Sequence, residues 1–487
     1  MSPDATLLRA QHHPPTVRGG VVQTVEQSGN GLGTGLKPRH ITMISIAGVI
    51  GAGLFVGSKN AIAEAGPGVL LSYALAGTLV VLVMRMLGEM ATAQPDTGSF
   101  STYADRALGR WAGFSVGWLY WWFWVLVIPV EATAAANILS SWLGAPQWVW
   151  ALAVTLLLTA TNLASVGNYG EFEFWFAGIK VVAIVGFIVV GLLAITGVLP
   201  GSDVSGTPGL SLAGGFLPNG FSAVLAGMLL TMFSFMGTEI VTIAAAESPD
   251  PQKGVRRAVN SVIGRIAVFY LLSIFVVVAI VPWNSPELEA DGSFQTTLQS
   301  IGIPGAATIM DIVILTAVAS CLNSALYTAS RMVFSLSRRG DGPAWLSHVS
   351  GRGVPYPAIL ISTAVGFLAV LGNYLLPEKI FGMLLATSGA LALVIYAIIA
   401  LSQVSMRRRL DAEGVRPAVR MWLFPWLTYA ALAFIAVVLV LMVVLPGQRL
   451  ELLLSLVLTA VVVLVGVRHQ RAARAVDVSD RDVIAER

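Results

Sequence analysis

The chain has 487 residues, 56% of them hydrophobic and only 11% charged, with a formal net charge of +3. Apolar runs recur along nearly its whole length, which excludes a single soluble globule and indicates an all-α polytopic membrane protein. The small positive charge calls for no nucleic-acid partner, since no basic stripe with interleaved aromatics lies outside the apolar runs. The basic residues flanking those runs suit anionic membrane lipid.

Taken in chain order, residues 1–36 are rich in Gly, Gln, Ser and Pro and read as a disordered cytoplasmic tail without the apolar core of a secretory signal. Twelve transmembrane helices follow, predicted near 41–64, 67–92, 111–139, 146–166, 174–198, 220–246, 260–283, 303–336, 357–376, 381–404, 423–445 and 450–468. Residues 471–487 form a C-terminal tail. Arg106, Arg110, Lys253, Arg256, Arg338, Arg339, Arg407 and Arg408 all fall on one face, whereas the opposite loops carry little beyond Lys379 and Arg449. The positive-inside rule then puts both termini in the cytoplasm of a multi-pass inner (cytoplasmic) membrane protein.

Span one contains Gly48-Val49-Ile50-Gly51-Ala52-Gly53, and span six contains Phe233-Ser234-Phe235-Met236-Gly237-Thr238-Glu239. Both are poor places to continue a helix, and non-helical backbone survives at membrane depth only around a protein-lined cavity. Two readings of the glycines stand. They allow close helix packing through small residues, or they mark an unwound stretch whose amides around Ile50, Gly51, Ala52 and Gly53 point at a substrate carboxylate. If spans one and six are equivalent, the chain divides as a five-plus-five inverted repeat, about 37–198 and 215–404, with extra helices at 423–468 and a site near midplane.

Gly113-Phe114-Ser115-Val116-Gly117 matches a nucleophile-elbow pattern, but all five histidines lie outside the predicted spans, so no base reaches Ser115. One cysteine, Cys321, leaves no Cys/His set for a metal, and no cofactor or enzymatic activity is expected. Ionisable residues inside spans are costly and start as functional candidates. Glu131 follows Pro129 in span three, Lys180 sits in span five and Glu239 follows the interruption in span six. Desolvation would make Lys180 a proton acceptor, whereas a lysine in the first turns of its span can equally snorkel to the interface. Arg85 and Glu89, one turn apart, read as an ion pair, and Glu171, Glu173 and Glu247 as interfacial. In the run Tyr120-Trp121-Trp122-Phe123-Trp124 one face is expected to line the cavity, and Phe123, Phe233 and Tyr327 are candidates to hold a substrate ammonium.

The stretches Pro95-Asp96-Thr97-Gly98-Ser99 and Ser320-Cys321-Leu322-Asn323-Ser324-Ala325-Leu326-Tyr327, with 36–43, resemble the amino acid transporter family of the amino acid/polyamine/organocation superfamily, over roughly residues 36 to 470. Stretches 118–129 and 232–248 are most similar to members that carry 4-aminobutyrate (GABA). The resemblance implies proton-coupled uptake of that solute by alternating access, with a permease or exchanger for proline, an aromatic or a basic amino acid as the alternative. It implies that Ile50, Gly51, Ala52 and Gly53 meet the substrate carboxylate, and that Phe233, Ser234 and Met236 meet the amine. It further implies that Lys180 stands in for a sodium ion and that Glu239 gates or couples protons.

Overall fold

The computed structural model describes residues 50–94, 99–164, 167–210, 215–240, 251–351, 353–375, 380–444 and 449–485. The expected tail at 1–36, span one before Ile50, the 95–98 segment and Glu247 lie outside the described residues.

Within the described part of span one, Ile50 and Gly51 are non-helical ahead of α1 (Ala52–Phe55), and the helix continues past Val56 as α2 (Gly57–Ala65). The chain turns back at Gly66, which takes φ +62° where a Cβ would lie 2.5 Å from the Pro218 ring. Glycine alone has both the conformation and the room. Next come α3 (Val69–Ala93), α4 (Ser99–Leu108), the 34-residue α5 (Arg110–Leu143), α6 (Gln147–Ala164) and α7 (Gly167–Ile195). Span six opens with α8 (Gly220–Phe235), turns over 236–239 and is helical again at Ile240, with 241–250 outside the described residues. Beyond it run α9 (Pro251–Arg265), a π turn at Ile266–Leu272 leading into α10 (Ser273–Ile280), and two short helices, α11 (Pro286–Asp291) and α12 (Ser293–Ile301). The long helices α13 (Ala306–Arg338), α14 (Tyr356–Leu375) and α15 (Ile380–Ala412) precede α16 (Trp426–Val444) and α17 (Arg449–Ala485). Helix α17 carries on to Ala485, so backbone in the predicted C-terminal tail is helical.

Among the described residues nine helical runs are long and apolar enough to cross a membrane, one of them being Ala52–Ala93 with the Gly66 turn inside it. Gly220–Phe235 and Tyr356–Leu368 are shorter apolar helices. Burial separates a central helix from peripheral ones. In the most apolar window of α5, 83% of residues are buried, against 17% in α6 and α17. A helix apolar all round is buried by protein or faces lipid. Helix α5 packs against α4, α6, α13, α14, α15 and α17, whereas Leu157 on α6 and Leu464 on α17 are exposed.

At the cytoplasmic end by the expected topology, the ion pair read between Arg85 and Glu89 is replaced by a longer-range one. Buried Glu89 accepts from Arg407 on α15, from Gln403 Nε2 (3.1 Å) and from the Met421 amide (2.6 Å). Arg85 instead donates to the Arg420 carbonyl (2.9 Å) and lies over the Trp422 ring. Three donors satisfy a buried carboxylate better than one flexible neighbour on the same helix, because each remaining lone pair must find a partner away from water.

Candidate functional site

The two interrupted spans face each other. A Cβ on Gly53 would lie 2.7 Å from Ser234 Oγ, 2.8 Å from Phe233 Cδ1 and 2.8 Å from Ser234 Cα, so only glycine lets the backbone of span one approach the end of α8. Gly51 faces the other way, and a Cβ there would meet Glu131 Oε1 at 2.6 Å and Cys321 Sγ at 2.9 Å. Helices α5 and α13 thus close over the non-helical residues from one side and α8 from the other.

Each interruption frees backbone groups that must find partners. At the first, the Ala52 N–H donates to both oxygens of Glu131, at 3.1 and 2.9 Å, from a residue 79 positions away. At the second, α8 ends as Met236 turns extended (φ −65°, ψ 144°) and Gly237 takes φ +96°. The Gly237 N–H donates to both oxygens of Glu239 at 3.0 Å, and the Tyr270 hydroxyl donates to the Ser234 carbonyl at 2.8 Å. Tyr270 comes from the π turn, and its ring stacks with those of Phe235 and Tyr73. Glu131, Glu239, Ile50 and Ala52 are each at most 1% exposed.

Lys180 has no exposed surface, which removes the snorkelling alternative. Its Nζ donates to Ser320 Oγ on α13 at 2.9 Å, and Ser320 Oγ donates in turn to both oxygens of Glu173 at 2.8 Å. Lys180 Nζ and Glu173 Oε1 are 3.9 Å apart, and neither side chain is exposed. Glu173 is therefore not interfacial: it sits two turns from Lys180 on the same face of α7 and neutralises it. Ser320 and Glu173 are functional candidates that the sequence reading missed; for Glu173 the signal available was its spacing from Lys180, since residues seven apart share a helix face, and Ser320 had none.

The aromatic run on α5 divides. Phe123 turns inward, its ring 6.1 Å from that of Phe233. Trp118, Trp121 and Trp122 instead line an apolar groove of about 550 Å³ shared with Leu458 and Val462 of α17. Trp121 Nε1 donates to Ser362 Oγ at 3.0 Å. Ser115 donates back to the Trp111 carbonyl at 2.7 Å. His469, expected outside the spans, rests on Phe114 within the apolar run of α17. Tyr327 is half-buried, and the Arg331 guanidinium lies 3.2 Å from its ring centroid.

A polar cavity of about 400 Å³ lies beside α1 on the α11–α12 side, lined by Phe55, Lys59, Asn137, Gln295 and Asp311 among others. Phe55 is three residues from Ala52, and the lining residue Ala134 is one turn along α5 from Glu131. The cavity thus reaches to within about one turn of the first interruption. Behind the lining residue Phe55, the Phe294 ring makes an edge contact with it (5.0 Å) and a tilted contact with Phe187 (4.6 Å).

Helices interrupted deep inside a polytopic chain, with buried ionisable groups around them, define a membrane transporter of small solutes rather than an enzyme, and the chain belongs to the amino acid permease family, whose family model matches residues 40–476. It is 61% identical over 442 residues, 90% of this chain and 93% of the relative, to a probable GABA permease of Pseudomonas aeruginosa. It is 61% identical over 423 residues, 87% of this chain and 91% of the relative, to the gamma-aminobutyric acid permease of Escherichia coli. The gamma-aminobutyric acid permease of Bacillus subtilis is 50% identical over 442 residues, 90% of this chain and 94% of the relative.

Proposed function

We propose that this chain carries 4-aminobutyrate into the cell with protons, across the cytoplasmic membrane, by alternating access around the two interruptions. The observation that carries the reading is the direct apposition of Gly53 to Ser234 and Phe233, beside a fully buried Lys180. Relatives named as permeases for this solute support the choice of substrate. In this reading the backbone around Ile50, Gly51, Ala52 and Gly53 receives the carboxylate. Phe233, Ser234 and Met236 receive the ammonium end with Phe123, whose ring lies beside that of Phe233. Lys180 takes and releases the proton, and Glu131 and Glu239 hold the interrupted backbone while the site reorganises.

The architecture we propose has twelve spans: the nine apolar runs, with Ala52–Ala93 divided at Gly66, and the two shorter apolar helices. Five-helix repeats at about 37–198 and 215–404 are followed by two further helices, and both termini are cytoplasmic. GABA is a neutral zwitterion near pH 7, so one cotransported proton moves one charge, worth about 2.3 kcal/mol per 100 mV or roughly fiftyfold accumulation.

Uptake of labelled GABA into proteoliposomes holding only this protein, with and without an inward proton gradient, tests the reading. Gradient-driven accumulation, blocked by β-alanine more than by proline, phenylalanine or lysine, is expected. Accumulation of one of those α-amino acids while GABA is ignored would move the substrate to the aromatic, basic or proline class.

A further inference from the structure

Glu173 and Ser320 do more than neutralise a buried cation: we propose that they form the proton-release path of Lys180, passing its proton through the Ser320 hydroxyl to the Glu173 carboxylate on the cytoplasmic side. The inference rests on the reading of Lys180 as the coupling group.

The hydrogen bonds already run in one direction. Lys180 Nζ donates to Ser320 Oγ at 2.9 Å, and the Ser320 hydroxyl donates to Glu173 at 2.8 Å. When the ammonium gives a proton to Ser320 Oγ, the hydroxyl proton that Oγ held passes to a Glu173 oxygen. Lysine ends neutral, serine is regenerated with a different proton, and Glu173 ends as a neutral carboxylic acid. No charge has crossed the low-dielectric interior alone, because an ammonium–carboxylate pair has become an amine–acid pair. Direct transfer is hindered by the 3.9 Å gap between Nζ and Oε1, which exceeds hydrogen-bond reach. The serine oxygen bridges that gap.

Geometry also gives the path an end. Glu173 is the seventh residue of α7, so at 1.5 Å per residue it lies about 9 Å along from the helix start, with Lys180 about 10 Å deeper. Half-buried Glu171 sits one step nearer that start. The other titratable groups around Lys180 are Glu131 from α5 and Cys321 from α13, with Tyr270 of the π turn beyond them. Glu131 is held by Ala52 and Tyr270 by Ser234. Helices α10 and α12, packed on α7 from the other side, carry no titratable residue. Among the described residues, Lys180 to Ser320 to Glu173 is a hydrogen-bonded route that leads toward the α7 start.

The test compares GABA accumulation driven by a proton gradient with GABA/GABA exchange, which needs no net proton movement, in proteoliposomes. Ser320→Ala should lower the initial rate of accumulation at least tenfold while exchange stays within about twofold, and Ser320→Thr, which restores a hydroxyl, should recover accumulation. A purely structural ion pair predicts otherwise, since neither change removes the Lys180 or Glu173 charge. Glu173→Gln should abolish accumulation and retain exchange. If Ser320→Ala accumulates GABA as fast as the unmodified protein, or if accumulation and exchange fall in parallel in both Ser320 variants, the relay is overturned. Lys180→Ala separates the two levels of the argument: undiminished accumulation in that variant sinks the coupling role of Lys180, whereas its loss together with normal Ser320→Ala transport sinks the relay alone.

Discussion

The interruptions in spans one and six solve the same problem with different partners. In span one the freed Ala52 amide is held in trans, by a carboxylate 79 residues away on α5. In span six the Gly237 amide is held in cis, by Glu239 two residues on, and the Ser234 carbonyl by Tyr270. A partner borrowed from another helix can be exchanged for an incoming carboxylate without unfolding the segment that offers the amide. A partner built into the turn itself moves with it. In the proposed reading this contrast makes the first interruption the receptor and the second, braced also by Tyr270 from the π turn, the hinge.

The largest expected effect comes from forcing the two apart. Gly53→Leu would drive a side chain into Ser234 and Phe233, including the Ser234 backbone at 2.8 Å, and should abolish GABA uptake while the protein still reaches the membrane. Wild-type uptake by that variant would mean that the two interruptions do not need to touch. Glu131→Gln should come next. A neutral amide oxygen holds the Ala52 N–H about half as strongly as a carboxylate, so the amide is surrendered more readily and the apparent KM for GABA should fall, by about tenfold for a loss of about 1.4 kcal/mol. A raised KM would instead show Glu131 acting on the substrate itself. Glu239→Gln should leave KM alone and lower thermal stability by about 1.5 kcal/mol, read as an earlier unfolding transition in detergent. Tyr270→Phe removes one hydrogen bond at the hinge, and should cost about 1 kcal/mol with uptake nearly unchanged. If the two hinge variants shift KM and Glu131→Gln does not, the assignments of receptor and hinge are reversed.

What could be read from the sequence follows what is local. The glycine cluster at Ile50 to Gly53 and the run from Phe233 to Glu239 disfavour helix by their own composition, and Ile50, Gly51 and 236–239 are the non-helical residues described in those places. Lys180, flanked by apolar residues, stood out for the same reason. What escaped depends on the packing of distant segments. No local pattern announces that Glu131 reaches Ala52, or that Ser320 bridges to Glu173 from 147 residues away. Glu173 reads as interfacial because it lies near the start of its span, yet Ser320 of α13 binds it there and it has no exposed surface. Arg85 and Glu89 looked paired because they lie one turn apart, and the pairing lost to Arg407, 318 positions on. The Arg331 guanidinium over the Tyr327 ring, one turn along α13, is likewise a contact that no composition pattern announces.

The clasp around Glu89 has a consequence for how the chain is made. The carboxylate is synthesised early, on α3, yet the Met421 amide that binds it at 2.6 Å arrives 332 residues later, and Gln403, its other neutral donor, is itself held by Thr428 of α16. The first helices therefore cannot finish settling until the ribosome has delivered the loop before α16. A nascent chain released after Ala412 would keep Arg407 and Gln403 but lack the Met421 amide and the Thr428 that holds Gln403, leaving Glu89 one donor short in a dry site. Pulse-chase protease protection of such truncated chains should find them cleaved near α3 while the full-length protein resists, so the late helices act as the final latch on the earliest ones.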